Sequence, residues 1–148
     1  MLHRLNYDLT DLIFRILFSL IFLGLGAEHL FDDHLIQQMM PSFLPYPRGL
    51  SIAAGLILLV GGASIALGFK TTQGAILLGG FLCVVTFLIH FPAVLHCPAE
   101  VPADWTWLWD VYQRSNLVKN MCLLGVCFHL INHEPGKYSL DQWLTNKA

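Results

Sequence analysis

The residues of this chain that could do chemistry stand at the ends of apolar runs. Glu28 and His29 close a hydrophobic stretch, LIFRILFSLIFLGLGA, that is interrupted only by Arg15, Ser19 and glycines. His90 closes another, His96 and Cys97 follow it, and Lys119-Asn120 stand early in a fourth. Imidazole, carboxylate and thiolate are the donors that zinc and copper take. Histidine also exchanges protons near neutral pH. His29, His90, His96 and Cys97, with Glu28 and His34, are therefore candidate metal ligands. Their spacing is irregular and spread over three segments, unlike a zinc motif with fixed ligand intervals. His129 and His133 stand four apart, a spacing that can hold a metal, against the plainer reading of polarity at a helix end. The four cysteines form no CxxC pair. No flavin or nicotinamide fingerprint and no haem attachment motif occurs.

The elements that position these residues must be membrane helices. The 148 residues are 55% hydrophobic and only 12% charged, with mean hydropathy +0.60, whereas a soluble domain carries about 25% charged residues. The expected fold is all-α, an integral membrane four-helix bundle in a single domain, with the lipid bilayer as its surroundings. A net charge of −2 and the lack of a basic tail argue against nucleic acid as a partner. The apolar runs place spans at about 12–31, 49–69, 73–95 and 115–132. The first is too long for a signal-peptide core and reads as a retained helix.

Each span carries a further signal. Ser51, Gly55, Gly62 and Ala66 fall on one face of the second, which lets another helix approach closely. Cys83, Thr86 and His90 share a face of the third, and Pro92 predicts a kink beside His90, since proline has no amide hydrogen. Ser115 reads as the cap of the fourth, whose early turns place Asn116, Lys119 and Asn120 together. Between spans, Pro41, Pro45 and Pro47 break regular structure, with Phe43 and Tyr46 at headgroup level. Trp105, Trp107, Trp109 and Tyr112 read as an interfacial belt, with a ring-stacking ligand site as the alternative.

With both termini cytoplasmic, Arg4, Arg15, Lys70, Lys137 and Lys147 lie inside, against Arg48, Arg114 and Lys119 outside. Glu28, His29, His90, Lys119 and Asn120 then approach the same outer boundary and are expected to form one pocket. Glu28 is expected to point inward and pair with Lys119 or His90, because a charge facing lipid is costly. Arg15 lies at the opposite end. It is either a snorkelling arginine paired with Asp11 or is held by the C-terminal tail through Asp141, once Pro135-Gly136 has turned the chain.

The tail string His133-Glu-Pro-Gly-Lys-Tyr-Ser-Leu-Asp141 resembles the ending of the DoxX family. An early arginine followed by a glycine-containing apolar run (Arg15, Gly24, Gly26) and the Lys119-Asn120 step are similar to that family as well. Family members often carry a lysine at the end of the first helix, where this chain has Glu28-His29. The likeness spans nearly the whole chain and implies a compact four-helix membrane protein. The family name comes from a subunit associated with thiosulfate oxidation and quinone reduction, and relatives are tied to membrane redox complexes and to oxidative or metal stress. The resemblance thus implies an accessory or assembly subunit of a quinone-linked redox or stress-response system in a bacterial-type inner membrane, with a membrane or periplasmic protein partner. Homo-oligomerisation stays open. A copper- or zinc-handling protein and a non-enzymatic scaffold are the competing readings.

Overall fold

The first helix, α1 (Tyr7–Phe31), starts where Asn6 accepts a hydrogen bond from the Asp8 amide at 3.0 Å. Its 25 residues reach roughly 38 Å at 1.5 Å per residue, enough to cross a bilayer. The computed structural model describes residues 6–41, 43–99 and 101–147; Arg4, Ser42 and Glu100 fall outside them. A short α2 (His34–Met39) follows, then α3 (Pro47–Leu67), whose first position is a proline, already set to helical φ. It stops at Gly68 with φ +63°, a left-handed conformation that costs glycine little.

After a tight turn, α4 (Thr71–Val85) runs into one π-helical turn, Thr86–His90, and then α5 (Phe91–Leu95). A 3-10 turn at Ala103–Trp105 leads into α6 (Thr106–Ile131), and a short α7 (Leu140–Thr145) ends the described chain.

The packing order is α1 on α3, α3 on α4 and α4 on α6. The α1–α3 contact is made by small residues. A methyl group added at Gly55 would sit 3.0 Å from the Gly26 carbonyl oxygen and from the His29 Cβ. Ser51, Gly55 and Gly62 are buried on this face, and Ala66 is half-buried. Phe22, Leu58, Ile65, Leu78 and Leu130 fill the centre. Leu17, Leu20, Val60 and Phe128 are exposed, as lipid-facing residues of a membrane bundle are.

Among the described residues, α1, α3 and the Thr71–Leu95 stretch are long and apolar enough to cross a membrane. The 26-residue α6 is equally long but turns Gln113, Asn116 and Asn120 inward, which lowers its apolar content. The chain is an all-α membrane protein.

The boundaries differ from the sequence reading at three places. Helix α1 begins at Tyr7 rather than near 12, because Asn6 supplies the cap. Helix α6 begins at Thr106 rather than 115, about two turns earlier, and Ser115 is an exposed mid-helix residue, not a cap. The aromatic and charged residues 107–114 are helical despite carrying no apolar period. Before Pro92 the chain makes a π-helical turn, in which the Phe91 amide reaches back to the Thr86 carbonyl. Such turns add a residue to the helix and often stand at functional sites.

Candidate functional site

At one end of the bundle a cavity of about 350 Å³ opens between α1, α3, α4, the π-helical turn and α6. Glu28, His29, His90, Lys119 and Asn120 all line it, as do Gln113 and Asn116. Apart from Tyr112 the remaining walls are apolar, with Phe22, Leu25, Leu58, Phe81, Leu82 and Leu123 among them. This size is ordinary for a small-molecule site, as is the mixture of many apolar walls with a few polar groups.

Each polar group has a definite posture. His29 Nδ1 lies 3.0 Å from Ser51 Oγ, and that hydroxyl donates to the His29 carbonyl at 3.2 Å. The hydroxyl proton being used there, Nδ1 donates to Oγ and Nε2 is left as the ring's acceptor. His90 Nδ1 lies 2.9 Å from Gln113 Oε1. That oxygen only accepts, so Nδ1 carries the proton and Nε2 is again the acceptor. Lys119 Nζ donates to Asn116 Oδ1 at 2.7 Å. Asn116 is 8% exposed, and its Nδ2 is buried with no partner among the described residues. An unpaired buried donor is costly, and a ligand carbonyl would relieve it.

Glu28 departs from expectation. It makes no ion pair or hydrogen bond with Lys119 or His90 among the described residues, and its side chain is exposed. The reason is helical phase. His29 turns toward α3 and Ser51, which leaves Glu28 about 100° away, at the cavity rim. Ser51 also lies near Asp33, whose carboxyl is held at about 2 by the Arg48 guanidinium 2.6 Å away. Arg48 additionally donates to the Leu30 carbonyl at 3.0 Å, tying α3 to the end of α1.

The opposite end of the bundle holds Arg15, which is 0% exposed. Its Nε donates to Asp11 Oδ2 at 2.9 Å, and its other nitrogens reach the carbonyls of Ala66 at 2.9 Å and Tyr138 at 2.7 Å. The expected carboxylate partner, Asp141, is not the one used. Asp141 instead accepts from the Lys70 amide at 2.8 Å and donates its own amide to the Gly68 carbonyl at 3.0 Å. Asp11 wins because it is one helical turn away on the same rigid helix. The tail does hold Arg15, but through a backbone carbonyl. Nor does Arg15 snorkel: full burial keeps its guanidinium from reaching water.

Asp11 also accepts from the Gly136 amide at 2.9 Å and meets His133 Nε2 at 2.6 Å. Lys137 stands 3.2 Å from Asp8, which raises its ammonium pKa. The His129 and His133 rings lie 5.6 Å apart. Among the described residues no three His, Cys, Asp or Glu side chains gather as a metal site needs, His29, His90, His96 and Cys97 included. Trp105, Trp107 and Tyr112 are exposed, while Trp109 Nε1 donates to the Ala93 carbonyl at 3.1 Å.

Sequence reasoning missed Gln113 and the Asp11–His133 contact. Gln113, Asn116 and Asn120 recur at three- and four-residue intervals, one face of a helix. Placing the helix start at 115 hid that pattern. Asp11 and His133 are separated by most of the chain, and no local signal joins them.

No curated protein and no solved structure matches the chain. The DoxX family model matches residues 10–91, more than half of the 148. The match runs from the first turn of α1 through the π-helical turn to Phe91, covering the buried Arg15 and the His29 and His90 walls of the cavity, and ends before α6 and the tail. By that match, the chain belongs to the DoxX family of membrane proteins.

Proposed function

We propose that the chain is an integral membrane binding subunit that accommodates a quinone, or an amphiphile of like chemistry, as an accessory of a membrane redox system. In this reading four helices cross a bacterial-type inner membrane, both termini are cytoplasmic, and the cavity lies toward the outer face. A membrane or periplasmic partner supplies or takes the electrons.

The observation that carries this reading is a largely apolar cavity with Asn116 in its lining, whose buried Nδ2 has no hydrogen-bond partner among the described residues. A quinone fits such a place: its ring is apolar in the middle and its carbonyl oxygens only accept hydrogen bonds. Asn116 Nδ2 would hold one carbonyl, with the Lys119 ammonium beside it. His90 Nε2, an acceptor by its bond to Gln113, is suited to hold the proton of the reduced form. A bound quinone supplies coupled electron and proton transfer; the protein's share is to orient the ring and keep the site dry.

The test is binding of a benzoquinone without a side chain to the purified protein in lipid nanodiscs, followed by titration calorimetry. Wild type is expected to bind, and Asn116→Leu to bind about tenfold more weakly or worse, the equivalent of one lost buried hydrogen bond. Absence of binding by wild type, or equal binding by a folded Asn116→Leu protein, would overturn the proposal.

A further inference from the structure

We infer that a second, apolar subsite beside the cavity receives the hydrocarbon chain of the same ligand, so that the protein selects membrane-dissolved, chain-bearing amphiphiles over water-soluble ones. This rests on the headgroup reading above and extends it.

A space of about 960 Å³ lies between the loop after α2, α5 and the first turns of α6. Met40, Leu88, Ile89, Tyr112 and Gln113 line both this space and the inner cavity. The two spaces therefore adjoin, with these side chains standing between them. The inner end carries the amides, the imidazoles and Lys119. Among its described residues the outer end has no Asp, Glu, Lys or Arg; its titratable side chains are His96 and Tyr112. A ligand filling both must be polar at one end and hydrocarbon at the other.

The outer walls are held in shape before any ligand arrives. Pro41, Pro92, Pro98 and Pro102 stand around it, and proline φ is fixed by its ring. The bond from Trp109 Nε1 to the Ala93 carbonyl, 3.1 Å, ties α6 to α5 and gives a carbonyl near a helix end its partner. A preformed groove of this kind orders a flexible chain at low cost to the protein. Its walls carry exposed Phe43, Trp105 and Leu108, apolar side chains that suit entry from lipid.

Photolabelling tests this in nanodiscs of phosphatidylcholine. The probe is a benzoquinone with a decyl chain ending in a diazirine, and labelled peptides are mapped by mass spectrometry. Label is expected in 88–109, and Ala93→Trp, which fills the groove, is expected to remove most of it while the chainless benzoquinone still binds as to wild type. Val101→Trp serves as a second filling variant should Ala93→Trp not fold. If the chainless ring binds but label scatters over lipid-facing residues such as Leu17, Leu20 and Phe128, or survives both filled grooves, the chain subsite is wrong and the headgroup site stands. If neither probe binds, both fall.

Discussion

Arg15 shows what one side chain demands of a membrane bundle. A guanidinium with no exposed surface needs a carboxylate and several acceptors, and α1, α3 and the tail each contribute. Breaking a buried pair from one side costs about 3–5 kcal/mol, because the remaining charge stays buried and unpaired. Asp11→Asn should therefore lower the melting temperature sharply and open the tail to protease, since Asp11 also receives the Gly136 amide. Asp141→Asn should do less, costing about 1–2 kcal/mol for its weakened bond to the Lys70 amide. Thermal unfolding and limited proteolysis in one detergent compare the two. An equal or larger loss in Asp141→Asn would reverse the assignment of partners.

At the scale of elements, the α1–α3 crossing sets the shape of the cavity. The backbones approach so closely at Gly26 and Gly55 that a Cβ at Gly55 already presses on the Gly26 carbonyl and the His29 side chain. Gly55→Leu should force the helices apart, destabilise by about 1–3 kcal/mol and displace His29 from Ser51. Gly80→Leu is the control, since nothing lies within 4 Å of a Cβ there. Melting curves of the two variants check the contrast, and equal effects would show that the small-residue face is not what seats α1. This face was legible in the sequence, because Ser51, Gly55 and Gly62 repeat at helical intervals. The true start of α6 was not, because residues 107–114 mix tryptophans with charges and follow no apolar period.

For the whole molecule, the start of α1, the end of α3, the start of α4, the end of α6 and the tail all meet at one end, as the contacts of Arg15, Asp141 and Thr72 require. The His29 and His90 cavity lies at the other. If both ends emerge from the bilayer as proposed, Thr72→Cys and Asp104→Cys, each in a background without Cys83, Cys97, Cys122 and Cys127, should label from opposite sides of sealed vesicles. Labelling of both from outside would rule out four crossings.

Composition and apolar run length by themselves determined that this chain is an all-α membrane protein, because a bilayer admits few solutions for satisfying backbone amides. They also placed Glu28, His29, His90, Lys119 and Asn120 near one boundary, since each ends or opens a run. Only the tertiary structure decided who touches whom. Helical phase sent His29 to Ser51 and left Glu28 at the rim. The π-helical turn ahead of Pro92 set His90 against Gln113. Arg15 reached the Tyr138 carbonyl, and Asp141 went to the Lys70 amide, because partners between elements are chosen by direction and distance, which no sequence interval encodes; only the Arg15–Asp11 pair, four apart on one helix, was legible beforehand.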